Sequence, residues 1–222
     1  MFKAGIDQDA MVQMFSQASA ARAEDLRKAV SEATLKALQG RELTLANIRK
    51  VIETVTQAAS VGAAQGKLPA GNLGDVLSSA FAGMDAALLQ AVQAHRKALQ
   101  QFIDQGVALQ DKHMKDALAN IEKMEDVFFA TVGKAAEQAT GSLRPAWEQV
   151  LSAMKLKGTD TGMLAHSSVE QLMTQAQTAL RAGRAASLRS AQAMMESYAT
   201  LVSGVLIGMT EGLQSGAKPP EH

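Results

Sequence analysis

Residues 77–102 read LSSAFAGMDAALLQAVQAHRKALQQF, and the spacing of their apolar side chains decides the fold. Leu77, Phe81, Met84, Leu88, Val92, Leu99 and Phe102 recur at three, four or seven residues. At 3.6 residues per turn, such positions form one stripe along a helix, whereas a strand would need alternation. The stripe reaches Leu109 and resumes at Met114, five residues on, continuing through Leu118, Ile121, Phe128 and Val132. The expectation is one very long helix from an Asn72 cap to about Thr140, roughly 100 Å if continuous. A phase slip at Gly106–His113 marks a stutter, a bend or a break.

The flanking sequence carries the same signature. A first helix is expected from about Asp7 to Gln39, stopped by Gly40, and a second from a Thr44 cap to about Gln65, with Ile48, Val51, Ile52 and Val55 on one face. Gly66-Lys67-Leu68-Pro69-Ala70-Gly71 breaks the chain, because Pro disfavours helix before it and Gly eases the turn. After the turn at Gly141-Ser142-Leu143-Arg144-Pro145, a short helix holds Trp147, Val150, Leu151 and Met154. Lys157–Gly162 closes it, and a last helix is expected from about Met163 to Gln214. The fold expected is all-α, an elongated antiparallel bundle of four to five helices, one very long. It forms a single domain over residues 1–217, with a disordered tail at 218–222.

Composition agrees. Ala contributes 41 residues and Met 12, against one Trp, one Tyr and four Pro. Good helix formers dominate, and the residues that favour strands are thin. Lys+Arg and Asp+Glu both number 22, so the formal net charge is zero and no basic stripe marks a nucleic-acid partner. The absence of Cys removes disulfides, thiol chemistry and Cys-based metal sites, and suits a reducing cytoplasm. Aspartates at positions 7 and 9 interrupt any apolar leader, and no stretch reaches the ~18–20 apolar residues of a spanning helix. The expected location is cytoplasmic.

Candidate chemistry is sparse. His95 falls on the apolar stripe with no Glu or His four residues away, so it reads as a buried structural histidine rather than a metal ligand. His113, His166 and His222 lack ligand partners at helical spacing. Glu122, Glu125 and Asp126 read as a solvated face, as do Arg181, Arg184 and Arg189. No nucleophile elbow and no glycine-rich phosphate loop is present. Neither catalytic, cofactor-binding nor metal-ligating residues are assigned, and a non-enzymatic role is expected.

The most unusual segment is Ser197–Thr210, fourteen uncharged residues in which Gly204 and Gly208 lead to Gly212 at strict four-residue spacing. Each glycine costs a helix roughly 1 kcal/mol relative to Ala, so packing must offset the loss. Such a ladder forms a smooth groove that admits another helix, within the bundle or from a second copy. Gly62 and Gly66 form a shorter version, expected to be its partner groove. These five glycines are the candidate helix-packing or self-association residues.

Two stretches, MVQMFSQASAARAEDLRKAVSEAT at 11–34 and VEQLMTQAQTAL through LVSGVLIGMTEG within 169–212, resemble phasins, the helical proteins that coat bacterial polyester granules. The likeness lies in Ala/Gln/Met-rich amphipathic helices, the absence of Cys and a Lys-Pro-Pro tail. Residues 44–140 look more like a group of uncharacterised bacterial helical proteins. The phasin resemblance implies a non-catalytic protein that binds an apolar granule or membrane-like surface through its helix faces and forms homo-oligomers. The alternative is a self-associating scaffold that joins protein to protein.

Overall fold

The computed structural model describes residues 7–17, 23–39, 42–66, 70–104, 112–181 and 198–216. Among them the regular structure is all α-helix. In chain order the helices are α1 (Gln8–Ser16), α2 (Ala23–Gln39), α3 (Leu45–Gln65), α4 (Ala70–Asp104), α5 (Lys112–Glu122), α6 (Met124–Glu137), α7 (Leu143–Lys157), α8 (Asp160–Arg181) and α9 (Tyr198–Gly216).

Local chemistry sets several of these ends. The Thr44 hydroxyl accepts from the Asn47 amide at 3.2 Å and caps α3 at the expected residue. Asp7 does the same for α1, accepting from Ala10 at 3.0 Å. Gly158 ends α7 at φ 77°, a conformation that L side chains rarely adopt. Asn72, expected as a cap, instead lies inside α4, which begins at Ala70.

The single helix expected over 72–140 does not form. Phe81 of α4 and Phe128 of α6 stack with ring centroids 4.5 Å apart, and Phe129 lies 5.5 Å from the same ring. On a continuous helix, Phe81 and Phe128 would be about 70 Å apart. The chain therefore folds back between α4, which ends at Asp104, and α6, and most of the phase slip, residues 105–111, lies outside the described residues. A smaller interruption at Lys123 separates α5 from α6. There the helical bonds carry through, with Lys123 N–H donating to Ala119 at 3.1 Å and Val127 N–H donating to Lys123 at 2.9 Å.

The expected last helix also divides. Gln171 accepts from Arg96 at 3.1 Å, while Tyr198 pairs with the adjacent His95 at 2.8 Å. One straight helix would hold Gln171 and Tyr198 about 40 Å apart, beyond the reach of side chains on consecutive residues. The first helix is likewise described as two, α1 and α2. The chain thus holds more helices than the four or five expected. A stripe read along one sequence had spread over several elements that pack on one another.

α4 is the hub. Val76, Leu77, Ala80, Phe81, Met84, Leu88, Ala91, Val92, Ala98, Leu99 and Phe102 are all buried, over more of its circumference than a surface helix conceals. Small residues let its neighbours approach. A Cβ on Gly83 would stand 2.6 Å from the Arg27 carbonyl oxygen and 2.7 Å from the Val30 side chain of α2. α8 runs parallel to α4, with Asp160 and Thr161 against Asp85 and, further along both helices, Gln171 against Arg96. α7 is tied to α3 by Trp147, whose buried indole N–H donates to the Ser60 hydroxyl at 2.9 Å.

Candidate functional site

Three places combine unusual residue chemistry with defined geometry: the outward face of α9, its seat on α4, and the N-terminus of α8. On α9, Val202, Leu206 and Thr210 turn inward and are buried. Thr200, Gly204, Ile207 and Gly208 turn outward and are exposed. A Cβ built on Gly204 or Gly208 would meet nothing within 4 Å. Gly212 continues the ladder within α9, and its surroundings lie outside the described residues. The outward strip is therefore uncharged and, among the described residues, uncovered.

Gly62 and Gly66 have a different neighbour from the one expected. A Cβ on Gly62 would collide with the Phe15 side chain and stand 2.6 Å from the Val12 carbonyl oxygen; on Gly66 it would stand 2.7 Å from that of Ser16. These glycines let α1 lie close against α3, so they are not the groove that receives α9. Identical four-residue spacing serves a filled contact in one helix and an open face in the other.

The seat of α9 contains a buried polar pair. His95, 3% exposed, shares a hydrogen bond of 2.8 Å between its Nδ1 and the Tyr198 hydroxyl. Phe102 packs beside Tyr198 with ring centroids 6.0 Å apart. Burial holds the His95 pKa down at about 4, opposed only in part by the Leu43 backbone carbonyl. Burial also pushes the Tyr198 hydroxyl well above its ordinary 10.0. The reading of His95 as a buried side chain is met, and its partner is an aromatic hydroxyl.

At the third place, the start of α8, four backbone amides need partners. Asp160 and Thr161 donate to the Asp85 carboxylate at 3.0 and 3.2 Å. Gly162 donates to the Thr159 hydroxyl at 2.9 Å, and Thr159 N–H donates to Glu125 at 3.3 Å. A helix N-terminus attracts anions, and here the chain's own carboxylates occupy it. Burial raises the Asp85 pKa, against hydrogen bonds from Thr161 and Asp160 that lower it. Glu125, read from sequence as part of a solvated face, is thus a tertiary cap, while Glu122 and Asp126 are exposed.

The remaining candidates stay apart. His166 is exposed beside Glu170, at 3.4 Å. The side chains of His113 and Arg181, and all of Arg184, Arg189 and His222, lie outside the described residues. Among the described residues, no group of three or more His, Asp or Glu is gathered for a metal ion, and no helix is long and apolar enough to cross a membrane. A cleft of 880 Å³ between α6 and α7 is lined by Glu125, Asp126, Lys134, Glu137 and Lys155, acids and bases together.

A profile of a family of unknown function, DUF6781, matches residues 1–215. The chain belongs to that family. No curated protein and no solved structure matches it. For this DUF6781 chain, the α9 face, the His95–Tyr198 pair and the capped start of α8 are the features that a functional reading must use. Sequence reasoning singled out α9 and His95 but passed over Asp85. The signal was present: Asp85 stands four residues after Phe81 and three before Leu88, so an acid sits in register with the buried stripe.

Proposed function

We propose that this protein is a non-catalytic helical scaffold that associates with a second copy of itself through the outward face of α9. The observation that carries the reading is the open space over Gly204 and Gly208, one turn apart on an uncharged strip. Gly at both positions lowers helix propensity by roughly 1 kcal/mol each, and among the described residues no contact uses the room they leave. A second helix laid on the strip would use it, through close backbone approach and dispersion contacts. A face without charge suits a copy of itself, since identical strips carry no like-charge repulsion across a two-fold axis.

Sedimentation velocity over a micromolar range tests this reading. The wild type should associate and Gly208→Leu should be monomeric. The substitution points into open space, so circular dichroism should be unchanged. A wild type that stays monomeric would remove the reading.

A second reading, granule or lipid-surface binding in the manner of phasins, is favoured by a different place. Leu156 and Met163 flank the α7–α8 turn at 92% and 64% exposure, beside Lys155 and Lys157. Protruding apolar side chains with adjacent lysines suit an anionic or apolar surface. Co-sedimentation with polyester granules or anionic liposomes should fall on Leu156→Ser with Met163→Ser. The absence of co-sedimentation by the wild type would dismiss it.

A further inference from the structure

α9 sits on α4 and α2 through a short seam. Val202 and Leu206 fill the seam. Polar links stand at its ends, Tyr198 to His95 at one and the Gln39 amide to the Thr210 hydroxyl at the other. Residues 198–210 contain no Asp, Glu, Lys, Arg or His, so among the described residues the buried group at this seam that changes charge between neutral and mildly acid pH is His95. The Nε2 of His95 is buried with no hydrogen-bond partner.

We infer that the His95–Tyr198 pair is an acid-released latch, which holds α9 on the bundle while the imidazole is neutral and lets α9 lift when it is protonated. An imidazolium has two N–H donors, and the Tyr198 oxygen can accept only one. For the other, the polar group at hand is the Leu43 backbone carbonyl, which offsets the burial of the charge only in part, and a buried charge so weakly partnered is costly. Among the described residues, no carboxylate offsets it. The described charged groups on the elements around the ring include Glu32 and Lys36 of α2, Glu42 before α3, Lys97, Arg96 and Asp104 of α4, and Glu170 of α8. All but Arg96 are exposed, Arg96 is turned to Gln171, and none contributes to the shift at His95. Lifting α9 lets water reach the ring.

The sign follows from the depressed pKa. Closure is fully supported above 6.5, and the support is lost as pH falls toward about 4. The opening equilibrium should therefore rise on the order of a hundredfold between pH 7 and pH 4. The latch concerns the inward face of α9, so it stands independently of what docks on the outward face.

Hydrogen exchange on the full chain tests the latch, with Trp147 fluorescence as the reporter of the bundle. At pH 4, amides of Leu201–Met209 should lose protection by the factor above, after correction for intrinsic rates, while Trp147 emission and α3 protection hold. His95→Asn keeps a neutral partner for Tyr198 and should leave α9 closed at both pH values. Tyr198→Phe removes the bond and should open α9 about fivefold more readily at pH 7, since a hydrogen bond contributes about 1 kcal/mol. Equal α9 protection at both pH values, loss of Trp147 signal together with α9 protection, or a His95→Asn chain that opens with acid like the wild type would each overturn the latch.

Discussion

Asp85, midway along α4, accepts from the backbone amides of both Asp160 and Thr161, and its own backbone carbonyl accepts from the Thr161 hydroxyl at 3.0 Å. A cap of this kind comes from a distant helix instead of the residue before the helix. It fixes the start of α8 in register with α4, and therefore the path of the α7–α8 turn. Asp85→Ala should leave two amides, that of Thr161 buried, without their acceptor and cost about 1–2 kcal/mol. In a chain of this length, that corresponds to a fall in Tm of roughly 2–8 °C. Asp85→Asn keeps one acceptor and should cost less. Thermal unfolding followed by circular dichroism checks both, and an Ala variant as stable as wild type would show that water replaces the carboxylate.

The two glycine pairs should respond in opposite directions to the same substitution. Gly62→Ala drives a Cβ into Phe15 and the Val12 carbonyl and should cost about 1–3 kcal/mol as α1 is pushed off α3. Gly208→Ala meets open space and should raise the stability of the monomer by up to about 1 kcal/mol through helix propensity. Urea midpoints at a concentration below association compare the two. If both variants lose stability, the outward assignment of Gly208 is wrong.

This contrast shows what was legible in the sequence and what was not. Thr44 was readable as a cap because capping is settled within a few residues, and the all-α class follows from composition and period. The fold-back that brings Phe81 to Phe128 was not readable, because one long helix and two packed helices share the same stripe. Only the five-residue step from Leu109 to Met114 distinguished them. In the same way, four-residue spacing places Gly204 and Gly208 on one face but does not say whether α4 covers that face. Asp85 and Glu125 became caps only through the arrival of α8, a tertiary event with no local signature beyond an acid on an apolar stripe.

Trp147 and Ser60 join α7 to α3, and the Ser60 hydroxyl passes the bond on to the Thr56 carbonyl at 2.9 Å. Ser60→Ala should strand the indole N–H in the core and cost about 1–3 kcal/mol. Trp147→Phe in the Ser60→Ala background should cost less than Trp147→Phe alone, with a coupling of about 1 kcal/mol in a double-mutant cycle. Additive losses would mean that Trp147 stabilises the interface through packing alone.

Tyr198 gives a measurement at the alkaline end. It is the single tyrosine of the chain, so phenolate absorbance reports one site. Burial raises its folded pKa well above the ordinary 10.0, whereas the unfolded chain should titrate near that value. A raised folded pKa means that the stabilising contribution is complete below the unfolded value and is lost as pH rises beyond it. Folded protein should show no phenolate about one unit above 10, while protein in denaturant is mostly ionised there. Stability should fall by about 1.4 kcal/mol for each further pH unit from this group alone. Tyr198→Phe removes that slope and leaves the lysines to titrate as before, so the difference between the two profiles isolates Tyr198. Phenolate appearing near pH 10 in folded protein would mean that water already reaches the ring, and that α9 is not seated over His95.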